Sequence, residues 1–163
     1  MNVGQCEFVT KSAATSRTAV AISAADPHLT IALTDAGVYL IEAFLRFTAP
    51  ATPGFSFAPL CTSVPVLSLF DALINNNEQE GSSSWRDVGG RGAVWQNTSL
   101  VAADQITGGN GSNVSGEVQH VLLRGVMEIS GACTFSIGWA QRTSSATATT
   151  LEQDSFLLAQ RLA

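Results

Sequence analysis

The stretch Gly37–Thr48, Gly-Val-Tyr-Leu-Ile-Glu-Ala-Phe-Leu-Arg-Phe-Thr, constrains this chain more than any other. At a period of two residues, one face carries Tyr39, Ile41, Ala43, Leu45 and Phe47. The other carries Val38, Leu40, Glu42, Phe44 and Arg46. A strand with one face in water alternates cleanly between apolar and polar residues, and this one does not. Its second face therefore needs a cover, supplied by another element or by a neighbouring subunit. A helix is the rival assignment, but Gly37 and the clustered Phe, Tyr and Ile residues favour a strand.

The remaining pattern is one of short strands divided by turn signals. Residues 1–17 read as an N-terminal arm with a short strand over 7–10 and a polar stretch over 11–17. A strand over 18–22 follows, then a turn at Asp26-Pro27, because the proline ring disfavours helix before it. Leu29, Ile31 and Leu33 share one face, and Asp35-Ala36-Gly37 turns the chain into the long strand. Residues 49–54, with two prolines and a glycine, form a loop. A strand over 55–60 carries Pro59, which places its end at a sheet edge. Residues 64–74 are ambiguous, fitting a helix over 67–74 or a strand.

An exposed polar loop spans 75–84 and irregular chain continues to 92. Residues 93–102 read as a strand pair or one bent strand, and 107–113 as a glycine-rich loop. Over 117–129, Val121, Leu123, Met127 and Ile129 face one way, and His120, Leu122, Arg124 and Glu128 the other. Ser130-Gly131-Ala132 is short enough for a hairpin. Cys133, Phe135, Ile137 and Trp139 then point inward, and a final strand covers 155–161. Many short strands and no convincing helix give an all-β domain over 18–163, a sandwich or barrel, with a jelly roll the nearest single architecture.

Composition narrows the partners. Only 13% of the 163 residues are charged, against about 25% in ordinary domains, which suits a protein that packs against other proteins. The net charge is −5 with only eight scattered basic residues, so a nucleic-acid partner is not expected. No apolar run reaches the ~18 residues of a membrane helix. The first residues lack the basic and apolar regions of a signal peptide. Cys6, Cys61 and Cys133 are odd in number and far apart, with no Cys-x-x-Cys pair. They are expected as buried free thiols of a protein made in a reducing cytoplasm.

Little in the chain promises chemistry, and no catalytic, cofactor or metal residues are assigned. His28 and His120 are distant and lack the spacing of a metal pair. Glu42 and Glu128 are the best candidates for paired carboxylates, since both lie among apolar neighbours. The plainer expectation pairs each with a basic residue, Arg46 or Arg124. Gly89-Gly-Arg-Gly92 and Gly108-Gly-Asn-Gly111 lack the Lys-Ser/Thr ending of a phosphate loop. Asn97-Thr-Ser99 and Asn113-Val-Ser115 match the glycosylation sequon without an export signal. Trp85, Trp95 and Trp139 offer rings for sugar stacking, although Trp139 falls in core register.

The C-terminal third carries a more specific signal. Gly131-Ala-Cys-Thr-Phe-Ser-Ile-Gly-Trp-Ala-Gln141, then Thr143-Ser-Ser-Ala-Thr-Ala-Thr-Thr150, then Ser155-Phe-Leu-Leu-Ala-Gln-Arg161, resembles the end of a family of small phage virion proteins. There an aromatic-Ala-Gln step precedes a Thr/Ser/Ala loop and a final Ser-aromatic-Leu strand. Residues 18–47 resemble the same family's opening. Residues 49–113 carry no such likeness. Cys133, Gln141-Arg142 and the insertion at 75–84 depart from the pattern. The resemblance implies a jelly-roll sandwich that forms homotrimers on the virion. A start within about twenty residues of Met1, with no fibrous stalk, favours a capsid decoration (cement) protein bound to the major capsid protein. A receptor-binding tail-tip domain is the alternative. A small carbohydrate-binding jelly roll, with a host-surface glycan as ligand, is the second.

Overall fold

The computed structural model describes residues 2–50, 52–75, 95–96, 106–109 and 118–163. Among these residues there is no helix. Twelve strands run in order: β1 (Cys6–Thr10), β2 (Thr15–Arg17), β3 (Ala24–Leu33), β4 (Gly37–Thr48), β5 (Phe55–Cys61) and β6 (Leu67–Asn75). They continue as β7 (Trp95–Gln96), β8 (Ile106–Gly109), β9 (Gln119–Ile129), β10 (Cys133–Ala140), β11 (Thr149–Leu151) and β12 (Phe156–Arg161). All pairings are antiparallel and fall into two sheets. The small sheet has the order β3-β10-β5-β8, and the large one β1-β12-β4-β9-β6-β7 with β11 and β2 alongside. The fold is all-β and β-sandwich-like.

The pairings follow one rule. β3 pairs with β10, β4 with β9, β5 with β8 and β6 with β7. Eight strands are thus matched like the two arms of a single long hairpin. β10–β5 and β9–β6 pairings then join alternate rungs into separate sheets. Each connection around β4 consequently crosses between sheets. Tyr39 Oη donates to the Asp35 carbonyl at 2.7 Å at one such corner. Ser130–Ala132, expected as a hairpin, is another. β9 already has β4 and β6 on its two sides, and β10 has β3 and β5, so neither offers an edge to the other.

The inner faces meet as the periodicity predicts. Tyr39, Ile41, Ala43, Leu45 and Phe47 are fully buried, as are Val121, Leu123 and Met127. From the small sheet come Leu29, Ile31, Leu33, Phe135, Ile137 and Trp139, all at most 2% exposed. Phe47 stacks on Phe55 at 4.2 Å and Phe70 on Phe135 at 6.1 Å, two contacts that bridge the sheets. Each fully buried side chain of this size contributes about 1.5–3 kcal/mol. The ambiguous 67–74 segment is strand β6, held by β9 along its length.

Three further expectations are corrected. Residues 18–22 are not a strand: Ala19 has a positive φ of 55°. Its amide bonds the Ser145 carbonyl instead, and Ile22 is 68% exposed. Asp26-Pro27 does not end a strand but lies inside β3, where the register with β10 slips between Ser136 and Gly138. The proline is tolerated because β3 is an edge strand. β5 lies between β10 and β8, but its end at Pro59 pairs with β10 alone among the described residues, in keeping with the edge position expected there. The described part of β8 pairs only as far as Phe57, so the missing N–H of Pro59 interrupts no ladder there. Residues 106–109, expected largely as loop, are strand β8. Of 93–102, only Trp95–Gln96 is described, paired with β6.

Candidate interaction surface

The outer face of the large sheet carries the pattern that marked Gly37–Thr48 as unusual. Register aligns its side chains in rows across the strands. One row runs Phe156, Phe44, Leu122, Leu73, and another runs Leu40, Val126, Leu69. Between them lies Phe8, Leu158, Glu42, Arg124, Asp71. Two apolar rows thus flank one whose charges alternate in sign. Phe8 packs on Phe156 at 5.3 Å, Phe156 on Phe44 at 5.9 Å, and Phe44 on His120 at 5.4 Å. This aromatic ladder crosses β1, β12, β4 and β9.

Nothing among the described residues closes this face. Leu73 is 59% exposed, Phe8 56% and Leu69 39%. Leu40, Phe44, Leu122 and Val126 are half-buried. Leu40, Leu69, Leu73, Leu122 and Val126, together with Asp71 and Arg124, line an open groove of about 800 Å³. Isolated exposed leucines are normal, but a contiguous apolar patch marks an interaction site.

A second constellation is buried and was not foreseen. Lys11, expected in a polar stretch of the arm, is 1% exposed, and its Nζ lies 2.7 Å from Oδ2 of the fully buried Asp26. The same carboxylate accepts from Trp139 Nε1 at 3.0 Å, the His28 amide at 2.9 Å and Thr15 Oγ1 at 3.4 Å. Burial pushes the Asp26 carboxyl up, but the bonds from Lys11, the His28 amide and Trp139 outweigh it. The carboxyl ends below its usual range. Beside it the Arg17 guanidinium sits 4.2 Å above the Trp139 ring and donates to the carbonyls of Trp139 and Ala24. With Lys11 and Asp26 both buried and paired with each other, this is a clasp holding residues 11–28 on the sandwich.

The end motifs also have structural work. Gln141, fully buried, donates to the Thr147 carbonyl at 2.7 Å and accepts from the Ser145 amide at 2.9 Å, clamping the Thr/Ser/Ala loop. Ser155 Oγ accepts from the Arg46 amide at 3.0 Å and donates to the Glu152 carbonyl at 2.9 Å, docking the last strand beside β4.

The candidate carboxylates do not converge. Glu42 lies opposite Arg124, 3.9 Å from its Nε, as the ion-pair expectation had it. Glu128 lies opposite Val38, four positions further along the same ladder, or about 13 Å away. Arg46 pairs instead with Asp154 at 3.3 Å. His28 Nδ1 meets Ser12 Oγ at 3.1 Å, while His120 is on the outer face of the large sheet. Among the described residues no three His, Cys, Asp or Glu side chains gather as metal ligands. Trp139 is core, as its register predicts. Trp85, the Trp95 side chain, Gly89–Gly92, both sequons and residues 76–92 of the expected loop lie outside the described residues, while Asn75, expected to open that loop, ends β6. All three cysteines are free, but only Cys133 is buried; Cys61 is half-exposed and Cys6 exposed. Cys61 and Cys133, distant in sequence, bring their sulfurs to 2.9 Å.

Among the described residues no helix is long and apolar enough to cross a membrane. No protein-family model matches the chain, and no curated protein matches it.

Proposed function

We propose that this chain is a phage virion structural protein: a capsid decoration (cement) protein that binds the assembled head as a homotrimer and stabilises it. The observation that carries this reading is the outer face of the large sheet, from Phe8 across Phe44 to Leu69 and Leu73. A folded chain that leaves two apolar rows beside a row of alternating charge is built to be covered by protein. A second copy presents the same Glu42, Arg124 and Asp71 and so offers both signs of charge in return. The architecture we assign is a jelly roll. The hairpin-like matching of β3–β6 with β7–β10, divided between two sheets, supports it. The placement on a phage particle rests on the resemblance of the chain's two ends. The edge of the sheet at β1 and the loops around it then remain for the major capsid protein on the capsid exterior.

Light scattering on the purified protein is expected to give a mass of three chains, and a monomer at working concentration would remove the trimer. Cryo-electron microscopy of the particle is expected to show the chain between capsomers; density at the tail tip would replace this reading with a receptor-binding one. Particles assembled without the protein should release their genome at lower temperature than complete ones.

A further inference from the structure

Cys61 ends β5 and Cys133 begins β10, adjacent antiparallel strands of the small sheet. Cys61 faces Phe135 in register, so Cys133, two residues earlier, is its diagonal neighbour on the same face. The two sulfurs share a hydrogen bond at 2.9 Å. The backbone beside them is pinned: the Thr62 amide donates to the Thr134 carbonyl at 3.1 Å, and the Thr134 amide to Thr62 Oγ1 at 2.9 Å. A disulfide bond is about 2.05 Å long, so the two sulfurs stand under an ångström from bonding distance. Cys61 is half-buried at the end of its strand and Cys133 is 7% exposed, an arrangement that makes Cys61 the more accessible, attacking thiol and Cys133 the protected, resolving one.

We propose that Cys61 and Cys133 are a redox-active dithiol that closes to an intrachain disulfide on meeting a low-molecular-weight disulfide such as oxidised glutathione. The Cys61 thiolate attacks one glutathione sulfur, forming a mixed disulfide and expelling the other glutathione as thiolate. Cys133 then attacks the Cys61 sulfur, its proton passing to the departing second glutathione. The two protein thiols lose two electrons and two protons in all, and one oxidised glutathione becomes two reduced ones. Cys61 is suited to the first role because its hydrogen bond with Cys133 draws its pKa down to about 6. The same bond and burial push Cys133 up. The bond would tie residues 72 positions apart.

The experiment uses the full chain carrying Cys6→Ser, which removes the third thiol. The reduced protein is incubated with oxidised glutathione near neutral pH, and intact mass is read without reductant. The expected product is one chain lighter by two hydrogens, with both remaining thiols closed to alkylation. Its Tm is expected roughly 5–15 °C above that of the reduced form. A product that holds a glutathionyl group, or two thiols that stay alkylatable, overturns the proposal. Adding Cys61→Ser at the half-exposed strand end, with folding checked by the melt of the reduced form, leaves Cys133 alone. That chain is expected to remain unmodified, and glutathionylation of Cys133 at the rate of the parent overturns the assigned roles.

Discussion

Asp26 is the residue on which most of the local structure depends. It sits at the point where β3 bulges, and its carboxylate gathers donors from Lys11, Trp139 and its own chain. Removing one partner of a buried ion pair leaves an uncompensated charge, at a cost of about 3–5 kcal/mol. Asp26→Ala is therefore expected to lower the urea unfolding free energy by about that amount. The double variant Lys11→Met, Asp26→Leu should lose clearly less, because neither charge remains. The same site predicts the acid response. The folded carboxyl lies below its unfolded value, so its stabilisation is present above about pH 4 and lost as pH falls through the folded pKa. A denaturation series from pH 6 downward, to about pH 2, should show a shallower acid decline in Asp26→Asn than in the parent.

At the scale of elements, the packing of β9 on β6 turns on Gly125. A Cβ there would run into the Leu69 carbonyl oxygen and Phe70 Cδ1, and would lie 2.8 Å from Phe70 Cα. Phe70 cannot retreat, since its ring stacks on Phe135 of the opposite sheet. Gly125→Val is expected to destabilise by about 1–3 kcal/mol through overpacking, read as a lower midpoint in thermal or urea unfolding. Gly138, which serves the small sheet, is less constrained: a Cβ there would lie 2.6 Å from Leu60 Cδ1, the end of a half-buried side chain that can turn away. The long strand β4 holds the fold together differently, with β9 on one side and β12 and β11 on the other. Its inner row is pure core. Ile41→Ala should therefore cost about 2–5 kcal/mol, whereas Leu40→Ala on the outer row should cost much less.

For the whole molecule, the outer face of the large sheet is where stability and the proposed assembly can be separated. Leu69→Glu and Leu73→Glu change exposed side chains and are expected to alter monomer stability by no more than about 0.5 kcal/mol. If this face joins copies, the same double variant should shift light scattering from the assembled mass to that of one chain. An unchanged oligomer would place the contact elsewhere on the surface. Paired measurements of unfolding and mass are needed, because a folding defect alone would also lose the assembly.

Periodicity together with β-propensity marked the strands within 37–48, 117–129, 133–139 and 155–161, and periodicity picked out the buried rows of the first three. A period of two leaves no freedom once a sheet has a dry side. It also marked the outer row of β4 as needing a cover. Sheet membership was not legible, because a short polar turn such as Ser130–Ala132 serves a hairpin and an inter-sheet corner equally well. Only the filled edges of β9 and β10 decided between them. The Lys11–Asp26 clasp and the Cys61–Cys133 contact join residues 15 and 72 positions apart, and no local pattern records such distances. Those meetings are products of the strand order, which is set by how two sheets share one core.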